Sequence, residues 1–223
     1  MILSAVILFL IGILLLTFSK KESIDSRFVS LLPVQSMINL CRVSADLGIM
    51  GSAWLLPGDL CGHLKVMQFM PVTTYQGEKL EGDSFVSGPG GIGILVPPAG
   101  ETLFDILIQN HRLIIPEDRE GLNILIQECV ADTLEIAEKT VVSWTDDSMT
   151  IRINGYCLTD GCQRVAVESP ACCTMNPCAI CSLLGIFLVS MLKQPVMVER
   201  CRAEKDRDQV VVRFLFPQIS NQK

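Results

Sequence analysis

Apolar residues fall along this chain in three patterns, and each predicts a different kind of element. The first is an unbroken run, Ile2–Phe18, which contains no charge. About 20 apolar residues span a bilayer and about 17 is the short limit. The run therefore predicts a transmembrane anchor over residues 1–19, with Ile2, Leu8, Leu14 and Phe18 among lipid. A cleaved signal would show a basic segment before the run and a small-residue site after it. Lys20 and Lys21 follow instead. Positive charge stays on the cytoplasmic side, so the lipid bilayer is the first expected partner and the rest of the chain is expected in the cytoplasm, single-pass.

The second pattern has the helical period. After a juxtamembrane linker over 20–33, Met37, Leu40, Cys41, Ser44 and Leu47 recur at helical spacing, and Gly48 or Gly51 ends that helix. A helix is expected from Glu101, "ETLFDILIQNHRL". A second one follows, with Leu122, Leu125, Ile126, Cys129, Thr133 and Ile136 on its apolar face. The two are expected to pack as a hairpin. An apolar segment from Pro177 to Lys193 makes another helix, with Asn176 as N-cap and Pro177 in the first position.

The third pattern has a period of two. "TVVSWT" and "MTIRINGY" flank "DDS", and "PVMVERCRAE" and "QVVVRFLF" flank "KDRD", which predicts two hairpins. "SAWLLPGDLCGHLKVMQFMPV" reads as a strand pair around a turn, and "IGILV" as a short strand in a loop rich in Gly and Pro. Hairpins interleaved with helices predict an α+β domain over 34–217, helices on a mostly antiparallel sheet, with a tail at 218–223. Met67, Phe69, Met70, Ile92, Ile94 and Leu95 could line a pocket, but apolar strand residues are mostly core.

Composition narrows the function classes. Of 223 residues, 49% are hydrophobic and 19% charged, enough to fill one core. A net charge of -6 without a basic stripe argues against nucleic-acid binding. Two histidines, His63 and His111, leave little room for His-based metal sites or triads. "GPGGIG" fits the glycine fingerprint of dinucleotide sites but opens a strand-like segment followed by prolines, which marks it as a loop. Glu128, Asp132, Glu135 and Glu138 read as the solvated face of their helix.

The chemistry sits in the cysteines. There are ten, and Cys172, Cys173, Cys178 and Cys181 fall within ten positions. A helix N-terminus favours thiolate, so Cys178 is expected to be the most reactive, with Cys181 on the same face. Cys157 and Cys162 lie upstream and Cys201 on the next strand. Only one of the adjacent Cys172 and Cys173 is expected to point toward Cys178. These seven could hold zinc or an iron–sulfur cluster, could form a redox pair, or could be buried thiols. In a reducing compartment structural disulfides rank low.

The stretch "NPCAICSLLGIFLVSMLKQPVMVERCRAEKDRDQVVVRFLF" resembles the end of four-vinyl-reductase, or hydrocarbon-binding, domains. Cys178 or Cys181, the helix to Lys193, Glu199 and Cys201 follow that order, although Gln209–Phe216 lacks the family's further cysteine. With "PPAGETL", the whole chain resembles N-terminally anchored archaeal proteins. The resemblance implies an apolar pocket for a small hydrophobic ligand in sensing or assembly. The leading expectation is a membrane-anchored, non-enzymatic ligand-binding or sensory domain. A cysteine-ligated metal protein is the alternative, and a thiol–disulfide redox protein the second.

Overall fold

A computed structural model describes residues 2–18, 25–204 and 208–216, with side chains omitted at 2–4 and 15–18. Lys20 and Lys21, most of the "KDRD" turn and the tail lie outside the described residues. The run of apolar residues forms one helix, α1 (Ile2–Phe18). Leu8 and Leu14 on it are largely exposed. The expected linker contains a helix, α2 (Ser26–Leu31), capped by Asp25, whose Oδ1 accepts from the Arg27 N–H at 2.9 Å. The chain continues helically through Leu32 and Pro33 into α3 (Val34–Asp46).

The rest is mixed α and β. The strands are β1 (Trp54–Leu56), β2 (Met67–Pro71), β3 (Ser84–Gly88), β4 (Gly91–Val96), β5 (Lys139–Trp144), β6 (Ser148–Asn154), β7 (Val196–Glu204) and β8 (Gln209–Leu215). They form one sheet in the order β3-β4-β2-β1-β7-β8-β6-β5, and every neighbouring pair is antiparallel. Both predicted hairpins of the second half are present, as is the β1–β2 pair. The further helices are α4 (Glu101–His111), α5 (Arg119–Gln127), α6 (Thr159–Glu168), α7 (Cys172–Met175) and α8 (Ala179–Leu192). The predicted second helix is shorter than its apolar pattern, because Glu128–Thr133 winds into a π turn after α5.

α8 organises the core. Every residue from Ile180 to Val189 is buried, as expected of a helix that is apolar on all sides. Cys172–Leu192 is therefore long and apolar enough to cross a membrane, yet most of it is enclosed by the fold. α4 and α5 each pack on α8, which replaces the expected hairpin between them. Phe104 of α4 meets Phe187 of α8 with ring centroids 5.9 Å apart. Against the sheet, Gly185 brings α8 close enough that a Cβ there would overlap Leu55.

The opposite face of β1–β4 has its own core. Trp54, Met67, Phe69 and Leu95 pack there with Tyr75 and Leu80 of the connection between β2 and β3. Tyr75 sits edge-on to Trp54 and Phe69, at 5.2 and 5.3 Å. Met70 and Ile94 pack with Ile49, Ala53 and Met175. These residues are core, whereas Ile92 is exposed, and none of Met67, Phe69, Met70, Ile92, Ile94 and Leu95 borders the cavity beside α2–α3.

Candidate functional site

Four cysteines gather where α7, α8 and β7 meet, and local backbone geometry explains each placement. The N-cap of α8 is Cys178 (φ -64°, ψ 172°), two residues later than the expected Asn176. Asn176 is drawn off by a side-chain partner, since the Gln68 Nε2 donates to its Oδ1 at 3.0 Å. The Cys178 carbonyl accepts from the Ser182 N–H and from the Ser182 Oγ, both at 2.8 Å. Ser182 Oγ in turn accepts from the Gly100 N–H at 2.7 Å, which ties the start of α4 to the first turn of α8.

Cys181 lies three residues on, and its Sγ is 3.2 Å from the Sγ of Cys201. Cys201 owes its direction to a bulge. Val198 faces Phe214, but Arg200 faces Arg213, so Glu199 is an extra residue and the alternation shifts by one. Without that shift Cys201 would point away from the helices. On α7, Cys173 turns toward Cys201. Its neighbour Cys172 turns the other way, into a disulfide with Cys41 of α3, with Cα atoms 5.8 Å apart. One of the adjacent pair thus joins the cluster and the other cross-links two helices. The low rank given to structural disulfides is corrected here: α3 and α7 pack closely enough for the bond.

Cys162 of α6 is half-buried near Cys178 and Cys201. Cys157 is exposed, and no other thiol acts on it. The described side chains therefore bring together Cys162, Cys173, Cys178, Cys181 and Cys201.

The thiols form a chain of contacts, Cys173 to Cys201 to Cys181 to Cys178. The Cys178 thiol is held below its ordinary value because the Cys181 S–H donates to it and the backbone N–H groups of Cys181 and Ile180 point at it, against the effect of burial. Cys181 is pushed well up as the donor to Cys178 and to Cys201, and by burial. Cys201 is held low by the thiols of Cys173 and Cys181. Burial raises Cys162, and its neighbours Cys178 and Cys201 raise it further. Cys178 and Cys201 are thus both held low, Cys201 by two thiols and Cys178 by one thiol together with backbone N–H groups.

Zinc or an iron–sulfur cluster needs soft ligands converging on one centre. Among the described residues, no group of three or more His, Cys, Asp or Glu side chains is arranged to hold a metal ion.

Beside the cluster lies a cavity of about 400 Å³, within the size range of small-molecule sites. One wall is α2–α3, with Val29, Val34, Met37 and Leu40. α6 and the approach to α8 supply the others, and Cys162, Cys173 and Cys178 reach the lining. Gly161 lets α6 approach α2, because a Cβ there would collide with the Ser30 carbonyl. Gln68 and Asn176 form a polar spot in this apolar lining. Gln68 is 1% exposed, and its Oε1 has no hydrogen-bond partner. The amide pair and the α2–α3 wall were missed in the sequence. A lone polar residue inside "VMQFMPV" was the available signal for Gln68. A second cleft, of about 420 Å³, lies toward the other end of α8. Its Lys65 pairs with Glu101 and Asp105, at 3.0 and 2.6 Å.

No protein-family model, curated protein or solved structure matches the chain. Ser26–Asp46 and Cys172–Leu192 are long and apolar enough to cross a membrane by length and composition, which is compatible with membrane association.

Proposed function

We propose that this chain is a membrane-anchored, non-enzymatic domain that binds a small apolar molecule, in a ligand-binding or sensory role. The observation that carries this reading is the 400 Å³ cavity between α2–α3 and the start of α8. Its walls are largely aliphatic, so burying an apolar ligand there gains about 25 cal/mol per Å² removed from water. The unpartnered oxygen of Gln68 adds a preference for a ligand with one hydrogen-bond donor, since a buried acceptor left unpaired costs about 1–3 kcal/mol. The likeness of the last third to hydrocarbon-binding domains supports the same reading. α1, with 17 residues and no charge, serves as the anchor.

The test is binding of a fluorescent apolar probe, N-phenyl-1-naphthylamine, to the full chain in detergent. Met37→Trp fills the cavity from the α3 wall and is expected to weaken binding at least about tenfold, equivalent to about 1.4 kcal/mol. Equal affinity in wild type and variant would remove this cavity as the site.

Orientation has two opposed indicators. Lys20 and Lys21 favour a cytoplasmic domain, whereas the Cys41–Cys172 bond belongs to an oxidising compartment. We adopt the cytoplasmic orientation on the charge pattern. It predicts that a membrane-impermeant maleimide added to intact cells leaves the exposed Cys157 unlabelled. Labelling of Cys157 before lysis would reverse the topology.

The contact of Cys181 with Cys201, together with Cys178 at the helix cap, favours a second reading as a thiol–disulfide protein. Oxidation to a Cys181–Cys201 disulfide under a glutathione couple, found by peptide mapping, would support it. Resistance to oxidation would remove it.

A further inference from the structure

α3 has three faces where a soluble surface helix has two. Val34, Ile38, Cys41 and Ser44 are buried against α6 and α7. Gln35, Asn39, Arg42 and Asp46 make a polar face, on which the Gln35 Nε2 donates to the Asn39 Oδ1 at 2.9 Å. The third face is apolar and uncovered. Phe28, Leu32, Leu40, Val43 and Leu47 are all exposed, and with Ser36 they recur at every third or fourth position. Because Leu32 and Pro33 keep right-handed helical dihedrals, that spacing traces one stripe along both helices. Phe28, Leu32 and Val43 leave 69%, 79% and 55% of their surface in the open, and an apolar stripe this long marks a contact surface.

Chain length says what it meets. Seven residue steps separate Phe18, the end of α1, from Asp25, the cap of α2. An extended chain covers at most about 3.6 Å per residue, so α2 starts within about 25 Å of the end of the anchor. The stripe also touches the cavity, since Ser36 and Leu40 belong to both. We infer that α2–α3 lies along the headgroup boundary of the bilayer that holds α1, and that the cavity takes its ligand, an apolar molecule dissolved in the membrane, directly from the lipid. This rests on the anchored, ligand-binding reading above. Helices with an apolar stripe and a separate polar face bind the interface in this way, burying the stripe about 5–10 Å deep.

The test uses the full chain in vesicles of phosphatidylcholine with brominated acyl chains. Two tryptophan reporters, Val43→Trp and Leu10→Trp, are compared with wild type, whose Trp54 and Trp144 set the background. Val43 is 55% exposed, so its replacement leaves the packing intact. Both reporters are expected to be quenched at least twofold, Trp at position 43 by bromines near the headgroups and Trp at position 10 by deeper ones. Quenching at 10 without quenching at 43 overturns the inference and leaves the anchor standing. Dimerisation that shields position 43 would give the stripe to a second copy of the chain and overturns it equally. Quenching at neither position removes the anchor itself. In a second arm, V43E and L47E, neither of which lines the cavity, are expected to slow transfer of N-phenyl-1-naphthylamine from vesicles at least fivefold. Its equilibrium binding in detergent is expected to stay within twofold. Unchanged transfer would show that ligand enters from water, while loss of binding by wild type in detergent would sink the ligand-binding reading instead.

Discussion

Replacing Phe187 with Ala is expected to destabilise the domain by about 3–5 kcal/mol, the range for deleting a buried aromatic ring from a packed core. The side chain is fully buried halfway along α8 and meets Phe104. α4, α5, β1 and β7 all pack on that helix, so the void has no loose wall that could collapse into it. Urea denaturation should show a lower midpoint with an unchanged slope. The measurement also settles what α8 is. A segment that crossed a bilayer would expose Phe187 to lipid, and its truncation would cost little. A loss below about 1 kcal/mol would therefore remove α8 from the core.

Cys178 is expected to be the first cysteine alkylated by iodoacetamide, and the pH profile is the discriminating measurement. Only the thiolate attacks. With its pKa held below the ordinary thiol value, Cys178 should lose less rate than an ordinary thiol as pH falls from 9 toward 7. A thiol raised by burial loses about tenfold in rate per pH unit over the same interval. Burial first, then Asp59, raises Cys61 to about 11, and burial raises Cys129 to about 12. At pH 7.5 Cys178 should outpace Cys61 on the order of a hundredfold, as read by mass spectrometry of labelled peptides. Replacing Cys181 with Ser keeps a donor beside Cys178 and should preserve the advantage, whereas Cys181→Ala should reduce it. Labelling of Cys201 ahead of Cys178 would place the charge at the other end of the thiol chain.

What could be read from the sequence follows from how local each cause is. The two hairpins of the second half announce themselves because a period of two and a polar turn lie within twenty residues. α8 does so by its unbroken apolar run. α2 falls inside the expected linker, since six residues carry too little periodicity to stand out. α6 contains Gly161, which lowers helix propensity and is present for the close approach to α2. β3 exposes four of its five residues and starts with Ser84 at φ 61°, so no alternating pattern marks it. At the site, Cys178 and Cys181 were legible as a pair on one helix. The turning of Cys173 inward and of Cys172 toward Cys41, 131 positions away, depends on helix packing that no local pattern encodes. The same holds for the bulge that aims Cys201.

The sheet order β3-β4-β2-β1-β7-β8-β6-β5 hides a translation. In each half, the second strands of two successive hairpins lie side by side, so β1-β2-β4-β3 and β5-β6-β8-β7 are the same arrangement. Strand directions alternate across the sheet, so moving the first half by four places lays it on the second with every polarity kept. The internal seam joins β1 to β7. The free edges β5 and β3 are the counterparts of those same two strands. Each molecule therefore ends in the two halves of a joint it has already made once within itself, and copies set edge to edge would extend the sheet without a change of direction. A stopper stands on one of those edges: the Gln127 Oε1 takes the Thr140 N–H at 2.6 Å, so that group of β5 is unavailable to an incoming strand.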